Sequence, residues 1–142
     1  LGAVAIVVLL VVRRDSAAEP LTPQRVCEQF VTAHLEAHPC RVMTTADWGR
    51  DGAPEGLIDS RRFVVASLCP DRVLCDSGGR IMSFDTLSDL RRQEAYYQAL
   101  GEQNELLSSW IFVNVRHRVL VQLNSEVPRT DALLYEAAVS EL

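Results

Sequence analysis

Apolar positions along the chain recur at helical spacing in three segments. The first helix should begin at Pro23 with Thr22 as its N-cap. The second should follow the cap at Thr86 and end near Gly101, and the third should begin at Thr130. We expect one buried face on each helix, formed by Val26, Cys27, Phe30, Val31, His34 and Leu35, then by Leu87, Leu90, Tyr97 and Leu100, then by Leu133, Leu134, Ala137 and Ala138.

Short β-branched and apolar runs between these helices predict the strands. Four runs have the length and composition of strands, at residues 63–68, 80–84, 109–113 and 119–123. Residues 41–45 are also β-branched and can add a fifth strand. The stretch 46–60 contains three glycines and one proline, which indicates a long surface loop.

The order of these elements predicts an α+β domain. A strand–helix–strand crossover from residue 80 to residue 113 should be right-handed, because nearly all such connections are. We therefore expect a mixed sheet of four to five strands with three helices covering one face. This order resembles an incomplete ferredoxin-like sandwich, a likeness of architecture that implies no activity.

The first twelve residues are all apolar or glycine, and a pair of arginines follows them. As a helix they would extend about 18 Å, whereas the hydrocarbon core of a bilayer is about 30 Å thick. Because the chain opens with Leu1, we expect upstream residues to complete a membrane span or a signal-peptide segment. This predicts a truncated membrane anchor at 1–14, a tether at 15–21 and an α+β domain at 22–142. The alternative is that the apolar run forms a buried strand.

Four cysteines indicate the compartment in which the domain folds. Cys27, Cys40, Cys69 and Cys75 form an even set in a small domain behind an apolar leader, which is typical of an oxidising environment. The arginine pair after the anchor favours the cytoplasmic side instead. Giving more weight to the cysteines, we expect a single-pass protein of the cell membrane with its domain outside the cytoplasm. A cytoplasm-facing subunit of a membrane complex is the alternative.

The expected first helix limits how these cysteines pair. If it continues as far as Pro39, a rise of 1.5 Å per residue separates Cys27 from Cys40 by about 20 Å. A disulfide needs a Cα–Cα distance below about 7 Å. We therefore expect these two cysteines not to pair, which leaves the two long-range connectivities if all four are oxidised. The alternative is that Cys27 remains reduced in the core.

Composition and charge narrow the functional classes. The chain has 142 residues, of which 48% are apolar and 23% charged, as expected for one folded domain. A net charge of −5 argues against nucleic acid as a partner, because binding it requires a broad basic surface. All 14 basic residues are arginines, which excludes lysine-based catalysis and is typical of a GC-rich bacterial genome.

No combination of nucleophile, base and orienting residue stands out, so we expect neither catalytic activity nor a cofactor. His34 and His38, at i and i+4 of the predicted helix, are weak candidates for a metal site. With an acidic loop residue they support an alternative, a small envelope hydrolase or metal-dependent enzyme. Residues 76–79 and 32–34 resemble the serine and histidine boxes of chymotrypsin-like proteases. The chain is too short for the two barrels of that family, and we interpret 76–79 as a turn.

Arginine clusters and tryptophans are the candidates for partner binding, because arginine suits carboxylate and phosphate groups and an exposed tryptophan suits a recognition surface. We expect residues 116–118 to project from a hairpin beside Trp110. The candidate residues are Trp48, Arg61, Arg62, Trp110, Arg116, His117 and Arg118. The sequence therefore predicts a membrane-anchored, extracytoplasmic bacterial binding or accessory module that is a subunit of, or a partner to, another envelope protein.

Overall fold

A computed structural model describes residues 21–70 and 77–142 as an α+β fold. The helices are α1 (Pro23–Thr32), α2 (Thr45–Trp48), α3 (Leu87–Gln103) and α4 (Arg129–Ser140). The strands are β1 (Cys40–Val42), β2 (Leu57–Val64), β3 (Gly78–Phe84), β4 (Ser109–Asn114) and β5 (Val119–Asn124). The membrane anchor predicted at 1–14, and the tether up to residue 20, lie outside the described residues.

The five strands form one antiparallel sheet in the order β1-β2-β3-β5-β4. α3 connects β3 to β4, which run in the same direction, but β5 lies between them and pairs with both. The expected strand–helix–strand connection is therefore present, whereas the expected mixed sheet is wrong. The reason is the β4–β5 hairpin, which folds back and inserts β5 beside β3.

Helices cover both faces of the sheet, so the prediction of helices on one face is also wrong. Successive residues of a strand point to opposite faces. On β3, Ile81 packs into the core beneath α1 and α4, and its neighbour Met82 packs into the core beneath α3. With α2 included, residues 21–70 and 77–142 contain four α-helices rather than the three expected there.

The core beneath α1 and α4 is built around three aromatic rings. The ring of Phe30 on α1 lies 5.6 Å from that of Phe63 on β2 and 5.1 Å from that of Tyr135 on α4, measured between centroids. The Tyr135 hydroxyl donates a 2.6 Å hydrogen bond to the carbonyl of Glu36. Burial raises the pKa of Tyr135 to about 12, so the ring stays neutral. This core joins both helices to the sheet.

The core beneath α3 is smaller and covers only part of its face. Thr86 caps α3 by accepting a 3.1 Å hydrogen bond from the amide of Asp89, as the sequence predicts. Leu90 and Tyr97 are buried against β3 and β5, and Leu100 is half-buried. Leu87, which we expected to be buried, is 45% exposed.

The buried face of α4 differs from the predicted one. The buried residues are Ala132, Tyr135, Ala138 and Val139. Leu133 and Leu134, which we expected in the core, are 48% and 55% exposed. Both stripes have helical spacing, so periodicity alone does not separate them. The Tyr135 ring, which packs on Phe30 and Phe63, decides the orientation.

The predicted long loop at 46–60 contains regular structure. α2 begins it, and β2 begins at Leu57 rather than at Phe63. Four of the first six residues of β2 are polar, and of these six only Ser60 is buried. β2 ends at Val64, and Ala66–Leu68 form a short 3-10 helix instead of the end of a strand.

Within residues 21–70 and 77–142, no helix has both the length and the apolar content needed to cross a membrane.

Candidate anion-binding site

A disulfide joins Cys27 on α1 to Cys40 on β1, with 6.5 Å between their Cα atoms. The presence of a disulfide agrees with the cysteine count, but the prediction that these two residues do not pair is wrong. α1 ends at Thr32, and the chain reverses at His34, which has a positive φ of 60°. Cys40 therefore returns to the side of the helix. Cys69 is also disulfide-bonded, and Cys75 lies outside the described residues.

Three arginines occupy neighbouring registered positions on the face of the sheet that α3 partly covers. Arg41 on β1 lies opposite Arg62 on β2, and Arg62 lies opposite Arg80 on β3. Residues paired in an antiparallel ladder share one face. We call Arg41, Arg62 and Arg80 the arginine row. Gln122 on β5 continues it toward β4.

Asp47 is the carboxylate at one end of the arginine row. Both of its oxygens accept hydrogen bonds from Arg41, at 2.8 and 2.7 Å, and one oxygen lies 3.6 Å from the Arg62 guanidinium. The Thr44 amide donates to it at 2.7 Å, completing the capping box of α2. The hydrogen bonds from Arg41 and then from Thr44 hold the pKa of Asp47 far below its usual range. Asp47 therefore remains ionised and fixes this end of the row.

Arg80 has a different environment at the other end of the row. Its guanidinium carbon lies over the Trp48 ring, 5.6 Å from the ring centroid, which is a cation–π arrangement. No carboxylate of the described residues lies within ion-pair distance of Arg80. Like charges directly opposite each other in a sheet are destabilising. Arg80 therefore carries a positive charge that no carboxylate of the described residues neutralises, and it lies beside Arg62, which is paired with Asp47.

A cavity of about 300 Å³ opens on this charge. Its described lining residues are Arg62, Gly78, Gly79, Arg80, Tyr97, Leu100, Leu106, Leu107, Ser108, Ser109, Gln122, Asn124 and Ser125. This set contains two arginines and no carboxylate. Four other cavities of the molecule each include at least one aspartate or glutamate, and Arg80 also lines one of these, together with Trp48, Asp51 and Glu55. Among these five cavities, the described walls of this one are the best suited to an anion.

Gly78 and Gly79 form part of the cavity wall and belong to β3, so the interpretation of 76–79 as a turn is wrong at these two positions. A side chain at Gly78 would clash with the backbone of Phe63, and one at Gly79 would clash with the carbonyl of Gln122. Close approach of the neighbouring strands therefore requires glycine at both positions.

The predicted partner-binding residues are spread over the molecule. Trp48 and Arg62 lie at the arginine row, but Arg61 points to the opposite face, where it donates to the Cys40 carbonyl at 3.3 Å. Trp110 is half-buried at the start of β4 and donates to the Val127 carbonyl at 3.0 Å. Trp110 and Arg61 are thus held in structural contacts rather than gathered into one site.

The turn at Arg116, His117 and Arg118 does not project beside Trp110 as we expected. Trp110 is the second residue of β4, whereas the turn follows the end of that strand. Arg118 folds back, and its Nε donates to the carbonyl of Phe84 at 3.3 Å. The His117 amide is bonded to the Asn114 side chain at 3.1 Å, and Arg116 is exposed.

The two histidines do not form the predicted pair. The weak metal candidates His34 and His38 lie beyond the end of α1, so the i, i+4 spacing of a helix does not apply. Both are exposed. The described residues include no group of three or more histidine, cysteine, aspartate or glutamate side chains that could hold a metal ion.

Sequence reasoning missed Arg41, Arg80, Gln122 and the leucines of the cavity. Arg62 and Arg80 each directly precede an apolar residue of a strand, Phe63 and Ile81, and this was the local signal available. The row depends on the register of three strands, which no single segment of the sequence determines. Comparison with protein-family models, curated proteins and solved structures finds no match for this chain.

Proposed function

We propose that this chain is a non-catalytic binding module of the bacterial cell envelope that recognises an anionic group on a partner protein through the arginine row. Residues 1–14 would anchor it in the membrane, with the domain outside the cytoplasm. The observation that carries the proposal is Arg80, a half-buried arginine that lines a cavity, rests on Trp48 and forms no ion pair with the described residues.

Two further observations support this reading. The Cys27–Cys40 disulfide favours an oxidising compartment, because such bonds are rare in reducing cytosol. The uninterrupted apolar run at 1–12 is typical of an anchor or leader. The hydrolase alternative assumed that His34 and His38 lie at i and i+4 of one helix, and both residues follow the end of α1.

Co-purification from membranes tests the proposal. The full chain and its Arg80→Gln variant would be isolated from the membranes of a bacterium that contains the partner, after chemical crosslinking. We expect Arg80→Gln to reduce the crosslinked complex at least tenfold, because it removes the charge and keeps a polar, though shorter, side chain.

Arg116→Gln is the matched control, because it also removes one arginine charge but lies at the exposed turn after β4. It should leave the complex unchanged. Equal complex formation by the native chain and Arg80→Gln would contradict the proposal. Loss of the complex with Arg116→Gln alone would place the partner on the hairpin turn instead.

A further inference from the structure

The cavity at Arg80 has an apolar side as well as a charged one. Leu106 and Leu107 stand at its rim and are 89% and 50% exposed. They belong to a short 3-10 helix, Glu105–Leu107, which is fixed by a 3.0 Å hydrogen bond from the Leu106 amide to the Asn104 side chain. Two leucines are thus held on the surface by local hydrogen bonds. Held in this position, they can cover an apolar part of a ligand.

The charged side suits a planar oxyanion. Arg62 and Arg80 are paired residues on adjacent strands and line the same cavity, and arginine pairs with carboxylate through parallel hydrogen bonds. Asp47 and Trp48 hold these two arginines in place before any ligand arrives. Preorganised groups of this kind bind with a smaller loss of conformational entropy.

Polar groups between the two sides suit an amide. Ser108, Ser109 and Asn124 line the cavity, and Gln122 is held by a 2.8 Å hydrogen bond from its Nε2 to the Ser109 hydroxyl. At about 300 Å³, the cavity is at the lower limit of ordinary ligand pockets. It therefore suits the end of a chain rather than a large ligand.

We propose that this cavity binds the C-terminal carboxylate of a partner polypeptide whose last residue is aliphatic. The carboxylate would pair with Arg80 and Arg62, the last peptide group would meet the serine, asparagine and glutamine side chains, and the aliphatic side chain would lie on Leu106 and Leu107. This inference rests on the proposed function and names the group that the arginine row recognises.

Small-molecule titrations of the full chain in detergent micelles, followed by calorimetry, test this inference. N-acetyl-leucine carries all three features of the proposed ligand and should bind saturably. N-acetyl-leucinamide lacks the carboxylate and should bind at least tenfold more weakly. Acetate and inorganic phosphate are oxyanions that lack the aliphatic side chain. Both should also bind at least tenfold more weakly than N-acetyl-leucine.

Variants locate the binding in the cavity. Arg80→Gln should weaken N-acetyl-leucine binding at least tenfold, and Arg116→Gln should change it less than twofold. Leu106→Ser should weaken it about threefold to tenfold, with acetate binding unchanged. Because Leu106 is almost fully exposed, this variant keeps the test valid if Arg80→Gln fails to fold.

The outcomes separate this inference from the proposed function. Equal binding of N-acetyl-leucine and its amide, or no saturable binding of N-acetyl-leucine, would overturn the inference. Arg80-dependent binding of phosphate that matches or exceeds that of N-acetyl-leucine would also overturn it, while leaving the anion-binding module in place. If neither N-acetyl-leucine nor phosphate binds, and the crosslinked complex does not require Arg80, the inference and the proposed function are both overturned.

Discussion

The two faces of the sheet use the same strands for different purposes. On the face beneath α1 and α4, Ile81 and Phe63 are at most 1% exposed, and three aromatic rings fill the space. On the other face, α3 covers Met82 and Phe84 but leaves the arginine row and its cavity beside them. One face is therefore packed for stability. The other combines a small core with Arg80, an arginine that forms no ion pair with the described residues.

The largest expected effect is on the packed face. Phe63→Ala should lower the free energy of unfolding by about 3–5 kcal/mol, because it leaves a cavity between Phe30 and Tyr135. Urea unfolding of the full chain measures the loss. Leu107→Ala at the cavity rim should cost less than about 0.5 kcal/mol. Similar losses for both substitutions would contradict the contrast between the faces.

The disulfide should be the next largest contribution. Replacing Cys27 and Cys40 together by serine should cost about 3 kcal/mol in the chain-entropy model, given a separation of 13 residues. The same unfolding measurement, without reductant, gives the value. Peptide mapping under non-reducing conditions should recover Cys27 linked to Cys40. Recovery of either cysteine linked to Cys69 would show that the contact between α1 and β1 is wrong.

Sequence patterns predict the parts of this fold that depend on neighbouring residues. The sequence predicts the N-caps of α1 and α3 and the β4–β5 hairpin, because a few adjacent side chains determine each of them. The arginine row could not be predicted in this way, since it depends on the register of β1, β2 and β3, which are separate segments of the sequence. The first part of β2 was also predicted as a loop, because its polar residues have the composition of a loop.

The disulfide shows the same limit in another form. Cys27 and Cys40 would be too far apart to pair if α1 continued almost to Pro39. The helix ends at Thr32, and a reversal at one residue, His34, changes the distance completely. Helix ends are less securely encoded than helix centres. A distance between two cysteines that is calculated from the helical rise is therefore wrong when the helix ends earlier than expected.

A smaller, pH-dependent effect is expected at Asp47 on the charged face. A lowered carboxyl pKa in the folded state contributes stability above the unfolded pKa, which lies near pH 4, and this contribution is lost as the pH falls toward the folded pKa. Asp47→Asn should therefore cost about 1 kcal/mol at pH 7, since the pair is partly open to solvent. The difference from the native chain should shrink below pH 4. A difference that is constant from pH 7 to pH 2.5 would refute this origin.

The smallest effect is expected on the solvent-exposed side of α4, which covers the packed face. Leu134→Ser on α4 should change the free energy of unfolding by less than about 0.5 kcal/mol, because the side chain is already 55% exposed. Val139→Ala should cost more than about 1 kcal/mol, because Val139 is 1% exposed. Thermal or urea unfolding of the two variants checks the orientation of α4. The reverse order would restore the face predicted from the sequence.

The most direct test of the central claim, that Arg80 binds an anionic ligand, uses Trp48 as the reporter. Trp48 and Trp110 are the two tryptophans of the chain, so a Trp110→Phe variant confines the indole fluorescence to the ring beneath Arg80. We predict that N-acetyl-leucine changes this fluorescence saturably and that adding Arg80→Gln abolishes the change. No change in the presence of Arg80, or the same change in its absence, would contradict the account.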